Sequence, residues 1–341
     1  MDQFEIDIVT ASLGESIFTD DLCRLGVKFY ELSGNQRRVI RNDWKFADLM
    51  WKRQYDVLHL NAFQGLSLRY LWLAKRAGVP VRIAHSHNTA LRKSITRPLK
   101  LMIHFLARRL FARSVTDFWA CSRLAAEFLF SSKVLEKRGY TCIFNGIDTV
   151  RFAFQANIRK SLRADLGLSD AYVIGNVGRL CSQKNQMFLL DVLYTVVQRE
   201  PMCRLLLGGE GEMWAALEKK AKQLNIEKNV IFYGVSDHIE RLLWAMDVLA
   251  FPSLFEGLGI AVVEAQAAGL PVIVSEFVPE EAQVTENVQM IPISDGTVGW
   301  AEGILTCCRR TINRKSAADT VRQSGFDIAD TVRQVCGAYK Q

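Results

Sequence analysis

The chain has 341 residues, long enough for two ordinary domains, each with its own core. About half of it is hydrophobic and a quarter charged, with few prolines, which excludes collagenous and disordered classes; no apolar run of about 18 residues suggests a membrane span. The start, MDQFEIDIVT, lacks the basic-then-apolar pattern of a signal peptide, and eight cysteines without a CxxC pair read as reduced, buried hydrophobes, so a cytoplasmic protein is expected.

Short apolar runs alternate with helical patterns. The first series is FEIDIVTA (4–11), KFYEL (28–32), DVLHLN (56–61), VRIAHS (81–86), DFWACS (117–122) and TCIFN (141–145), with apolar residues at helical spacing between them, as in residues 65–78. VRIAHS runs into His85-Ser86-His87-Asn88. A histidine pair can hold a metal, but no Asp, Glu or Cys follows at ligand spacing, so no metal is expected; each histidine reads either as a satisfied structural residue or, for one of the two, as a hydrogen-bond partner of a substrate across a cleft between domains.

Residues 91–113 contain no acid and interleave Arg97, Lys100, Arg108, Arg109 and Arg113 with Leu99, Ile103, Phe105, Leu106, Leu110 and Phe111. Such a helix either packs a core with a basic edge or lies on an anionic membrane surface. Residues 1–151 carry 24 Lys+Arg against 14 Asp+Glu, whereas the remainder carries 19 against 22. The first half is therefore the one expected to meet an anionic partner. Nucleic acid is not expected, because no zinc-finger spacing or RNP-like strand accompanies the charge.

A polar connection at 145–168 leads into a second series: YVIGNVG (172–178), CRLLLGG (203–209), NVIFYG (229–234), DVLAFPS (247–253) and PVIVS (271–275). The whole predicts an α/β chain of two Rossmann-like domains built on parallel sheets: residues 1–152, residues 153–325, and a terminal crossover helix, 326–341, packing back toward the first domain.

The second series carries its polar residues at strand ends. Gly178-Arg179 and Lys184-Asn185 follow the first strand, and two cations beside a helix start suit a diphosphate. A plain surface cap is the alternative. Gly208-Gly209-Glu210-Gly211 is a glycine turn, weak by itself. In FPSLFEGLGIAVVEAQAAGLPVIVS (251–275), the glycine turn Gly257-Leu258-Gly259 opens a helix near Ile260, whose N–H groups with those of Leu258 and Gly259 offer an anion site. Glu256 and Glu264 either flank that ligand or, respectively, complement the helix dipole and lie on a solvated face.

In this order, Gly178-Arg179 with Lys184-Asn185, Gly208-Gly209-Glu210-Gly211, Pro252-Ser253 with Glu256 to Gly259, Glu264-Ala265 and Ala268 to Pro271 resemble the retaining GT-B fold glycosyltransferases, group 1 or family 4 type, of capsular and exopolysaccharide biosynthesis. The resemblance implies two domains facing across a cleft. It implies Arg179 and Lys184 on the donor diphosphate, Glu256 on the donor sugar, Glu264 on the ribose, backbone near Val235 on the base, and His87 facing the sugar from the acceptor side. No cofactor is implied; the nucleotide sugar, expected to be a UDP-sugar, is a substrate, and the acceptor would be a glycan, lipid-linked at the inner membrane surface. The chain begins at what resembles the family's second strand, so its first domain is expected to lack the first strand and glycine loop. A sugar-nucleotide epimerase of the same fold, or a truncated non-catalytic nucleotide-sugar-binding protein, are the alternatives.

Overall fold

The computed structural model describes residues 4–13, 18–35, 38–91, 95–308, 310 and 313–340. Within the basic segment, residues 92–94 lie outside the described residues, as does the side chain of Cys308; the other seven cysteines are free thiols.

Among the described residues, twelve strands form. They are β1 (Asp7–Thr10), β2 (Lys28–Glu31), β3 (Val57–Ala62), β4 (Val81–Ser86), β5 (Asp117–Ala120), β6 (Thr141–Cys142), β7 (Tyr172–Val177), β8 (Cys203–Gly208), β9 (Val230–Gly234), β10 (Val248–Phe251), β11 (Val272–Val274) and β12 (Val288–Met290). All predicted strands are present. The addition is β12, three half-buried or exposed residues at a sheet edge, a short stretch interrupted by Gln289.

β7 to β12 make one parallel six-stranded sheet in the order β12-β11-β10-β7-β8-β9. Side chains alternate across a strand, so one buried run feeds two cores. Val173, Val177, Leu206, Leu249, Phe251 and Val272 point into one, with Leu242, Val262 and Val263 from the helices Ile239–Ala245 and Ile260–Ala267. Ile174, Leu205, Leu207, Val248, Ala250 and Ile273 point into the other, against Leu189, Trp300 and Ile304 from the helices Gln186–Val197 and Gly296–Cys308. Burial on both faces explains why these strands read as unbroken apolar runs.

The first half is built differently. β3-β4-β5-β6 form a four-stranded parallel sheet, whereas among the described residues β1 and β2 pair only with each other. Among the described residues the two sheets share no ladder, although Val9 from β1 and Leu58 from β3 pack on the same cluster of Leu32, Phe46, Met50 and Val79. One face of the larger sheet, presenting Ile83, Trp119 and Ile143, is covered by Val335, Ala338 and Tyr339 of the terminal helix Ile328–Tyr339. The chain thus returns to its first half. The return is fixed where Ile147 N–H donates to Phe326 and Ile328 N–H donates to Ile147.

Close packing in the central strand dictates one glycine. A Cβ at Gly175 would stand 2.0 Å from Met246 Sδ. Gly175→Ala is expected to destabilise by about 1–3 kcal/mol through overpacking. Combined with Met246→Ala it should cost less than the two single changes together, because they share one space; urea unfolding of the four chains measures this.

Candidate functional site

The carboxyl ends of β7, β8 and β9 bring three of the predicted positions together. Gly178 and Gly209 hold φ of +135° and +125°, and a Cβ at Gly209 would meet the Gly178 carbonyl oxygen at 2.2 Å. Only glycine allows that approach. Gly209 N–H donates to Gly234, which places Val235, 68% exposed, at the rim beside it.

Lys184 lies over Gly178, its Nζ 2.7 Å from Glu256 Oε1 and 4.5 Å from the centre of the Phe251 ring. Both members of this ion pair are largely buried. A buried pair is weak evidence for stability, since desolvating two charges offsets much of their attraction. Here it holds one cation and one carboxylate ready at a strand end. Asn185, in the left-handed region at φ +57°, precedes the helix Gln186–Val197. The loop carrying Arg179 is tied from beneath: Gln186 Nε2 donates to Asn176 Oδ1 and to the Arg179 carbonyl, and Asn176 Nδ2 donates to Ala250 of β10.

Gly259, at φ +89°, caps the helix Ile260–Ala267; Val262 N–H donates to the Gly259 carbonyl, and no side chain caps this end. Glu264 follows one turn later. Burial pushes its carboxyl up to about 7, against the pull of Arg151. Arg151 itself pairs at 2.9 Å with Glu240, which also meets His238 Nδ1 at 3.0 Å. Sequence reasoning missed Arg151 and Glu240, which are separated by 89 positions and meet only through the packing of their helices.

The turn 256–259 is seated directly on the first half of the chain. A Cβ at Gly257 would fall 2.0 Å from the His87 carbonyl oxygen. Thr89 Oγ1 donates to the Glu256 carbonyl, and Ser122 Oγ to that of Gly257. His87 therefore sits at the seam, its Nε2 3.0 Å from Asn61 Oδ1. Behind it, His85 packs on His87, His85 Nδ1 lies 3.1 Å from His59 Nε2, and His59 Nδ1 lies 2.5 Å from the Tyr339 hydroxyl of the terminal helix. Burial depresses all three imidazoles, His59 to about 4 and His85 to about 3, so both are neutral at neutral pH. Among the described residues no group of three or more His, Cys, Asp or Glu is placed to hold a metal ion.

Lys184, a glycine-capped helix start and the carboxyl groups of Glu256 and Glu264 thus lie near the seam that His87 borders, with Arg179 exposed on the adjoining loop. Such a set can bind a diphosphate, read hydroxyl groups and stabilise a leaving phosphate.

Residues 2–151 match the family described as Glycosyltransferase Family 4, and residues 171–310 the one described as Glycosyl transferases group 1. The chain is 33% identical to the EpsF protein of Bacillus subtilis (strain 168) over 78% of its own length and 70% of that protein's. It is 29% identical to the UDP-Gal:alpha-D-GlcNAc-diphosphoundecaprenol alpha-1,3-galactosyltransferase of Escherichia coli, over 67% of this chain and 60% of the relative. Among solved structures, Anabaena HepE in complex with UDP superposes with a TM-score of 0.77 at 19% identity, covering 99% of this chain and all of that one.

Two outcomes follow from the geometry. Gly257→Ala must move the turn off His87 and is expected to cut turnover at least about tenfold while changing nucleotide affinity much less, read as a split between kcat and a calorimetric Kd. The raised carboxyl of Glu264 favours the fold below its unfolded value of 4.5, and that contribution is lost as pH rises through about 7. Glu264→Gln should therefore raise the melting temperature at pH 8.5, by on the order of 2–4 °C for each kcal/mol relieved, and leave it unchanged at pH 4.

Proposed function

This chain belongs to the group 1 glycosyltransferases, and from that premise we propose that it moves a sugar from a UDP-sugar to a lipid-diphosphate-linked glycan with retention of configuration. The observation carrying the donor half is the pairing of Lys184 with Glu256 beneath the glycine-capped helix start, at the seam with His87. An ammonium has three N–H groups, so Lys184 can keep Glu256 and still donate to a phosphate oxygen. Arg179, whose loop is fixed by Gln186, adds a planar fork, and the two cations take up charge as the bond from the anomeric carbon to the phosphate breaks. Glu256 reads the donor sugar hydroxyls and Glu264 the ribose. His87, neutral, faces the sugar from the acceptor side.

The base and the lipid rest on further support. The E. coli relative is named for UDP-Gal and a diphosphoundecaprenol acceptor, and HepE was solved with UDP. In this chain the helix Arg97–Leu110 buries His104 and Ala107 and exposes Leu99, Met102, Leu106 and Leu110 among its basic residues. No helix among the described residues is long and apolar enough to cross a membrane. We therefore assign this helix a peripheral position on an anionic membrane surface, where a lipid-linked acceptor would be met.

Calorimetric titration with UDP, GDP and ADP tests the donor site. UDP is expected to bind, with affinity reduced about 100-fold or more by Arg179→Ala or Lys184→Ala, consistent with roughly 3 kcal/mol for a charge-assisted contact. Binding that both variants leave intact would place the nucleotide elsewhere. With a UDP-sugar and a diphosphoundecaprenol-linked acceptor, the anomeric coupling of the product by NMR decides retention. Co-sedimentation with phosphatidylglycerol vesicles, lost when Leu106 and Leu110 become serine, checks the membrane contact.

A further inference from the structure

The same six-stranded sheet carries a cavity at its other end. Opposite Gly178 and Glu256, at the amino ends of β7, β10 and β11, Tyr172, Asp247 and Pro271 open onto a cavity of about 450 Å3. That is the size of a small-molecule site, and it shares no residue with the donor cleft.

The lining is cationic. Arg159, Arg310, Arg314 and Lys315 surround one carboxylate, Asp247, beside the ring of Phe154. Part of this charge is answered internally: Asp247 takes Arg159 at 2.5 Å and Arg163 at 2.9 Å, while Arg159 and Arg314 also donate to the Trp244 and Met246 carbonyls at the end of the helix Ile239–Ala245. Those contacts cap a helix; they do not neutralise three guanidinium groups with one carboxylate. Burial, and then Arg159, pull the Arg314 guanidinium down to about 10, against the opposing pull of Asp247. Arg310 and Lys315, exposed at the rim, meet no carboxylate among the described residues.

Gathering cations in a half-enclosed space is unfavourable unless an anion joins them. Guanidinium forks match phosphate oxygens, and Phe154 and Pro271 supply an apolar wall for an organic remainder. We propose that this cavity binds a phosphate-bearing small molecule, with Arg310 and Lys315 closing on the phosphate.

Titration of the full chain with inorganic pyrophosphate separates the two sites, because the donor cleft also offers cations. Two binding events are expected. Arg310→Ala/Lys315→Ala, both at exposed positions, should weaken one event by at least about tenfold and spare the other, whereas Arg179→Ala/Lys184→Ala should do the reverse. Glucose 1-phosphate should retain the event that depends on Arg310 and Lys315. The inference is overturned if the Arg310→Ala/Lys315→Ala chain, folded by circular dichroism, titrates as the unsubstituted chain does. Arg310→Gln/Lys315→Gln serves the same comparison if the alanine pair does not fold. A loss seen only with Arg179→Ala/Lys184→Ala likewise rejects this cavity while leaving the donor site in place.

Discussion

The geometry of the cleft depends on a missing side chain. At Gly257 the turn from the second sheet lies against the His87 carbonyl of the first, at a distance no Cβ could occupy. Backbone contact of this kind has no rotamers through which to adjust. It fixes Glu256 on one side of the seam and His87 on the other, and the hydroxyls of Thr89 and Ser122 hold the neighbouring carbonyls in register. A substrate spanning both halves would meet groups already in place, which is the condition for orientation to assist a reaction.

Electrostatics are arranged on the same principle. Lys184 and Glu256 form a buried pair whose desolvation offsets much of its attraction, so stability alone does not account for it. Glu264 is held near neutrality by burial, while Arg151 beside it is already engaged by Glu240. The buried Asn176–Gln186 contact serves this set indirectly, joining the central strand to the loop that presents Arg179.

Much of this was legible in the sequence, and for a physical reason. Parallel strands buried on both faces leave unbroken apolar runs, and turns that demand positive φ or close approach leave glycines, so β7 to β11 and the turns at 178, 209 and 257–259 announced themselves. What could not be read were partnerships between distant positions: Arg151 with Glu240, His59 with Tyr339, and Thr89 with the Glu256 carbonyl. Asn176 offered a local signal, a polar residue inside an apolar strand, but its partners are set only by the assembled sheet. The short edge strand β12 leaves no unbroken apolar run, because Gln289 interrupts its three residues.

The division of the first sheet has a consequence for how the molecule breathes. Among the described residues, the second edge of β1 and the second edge of β3 carry no strand partner, and the two pieces cohere through side chains such as Val9 and Leu58. Opening between them breaks no backbone ladder, whereas opening the six-stranded sheet breaks several. The two halves are therefore expected to differ in their free energy of local opening, with amide exchange starting on the side that carries the basic helix. The same unpaired edges are templates for a foreign strand, so self-association through strand addition is the hazard this architecture carries.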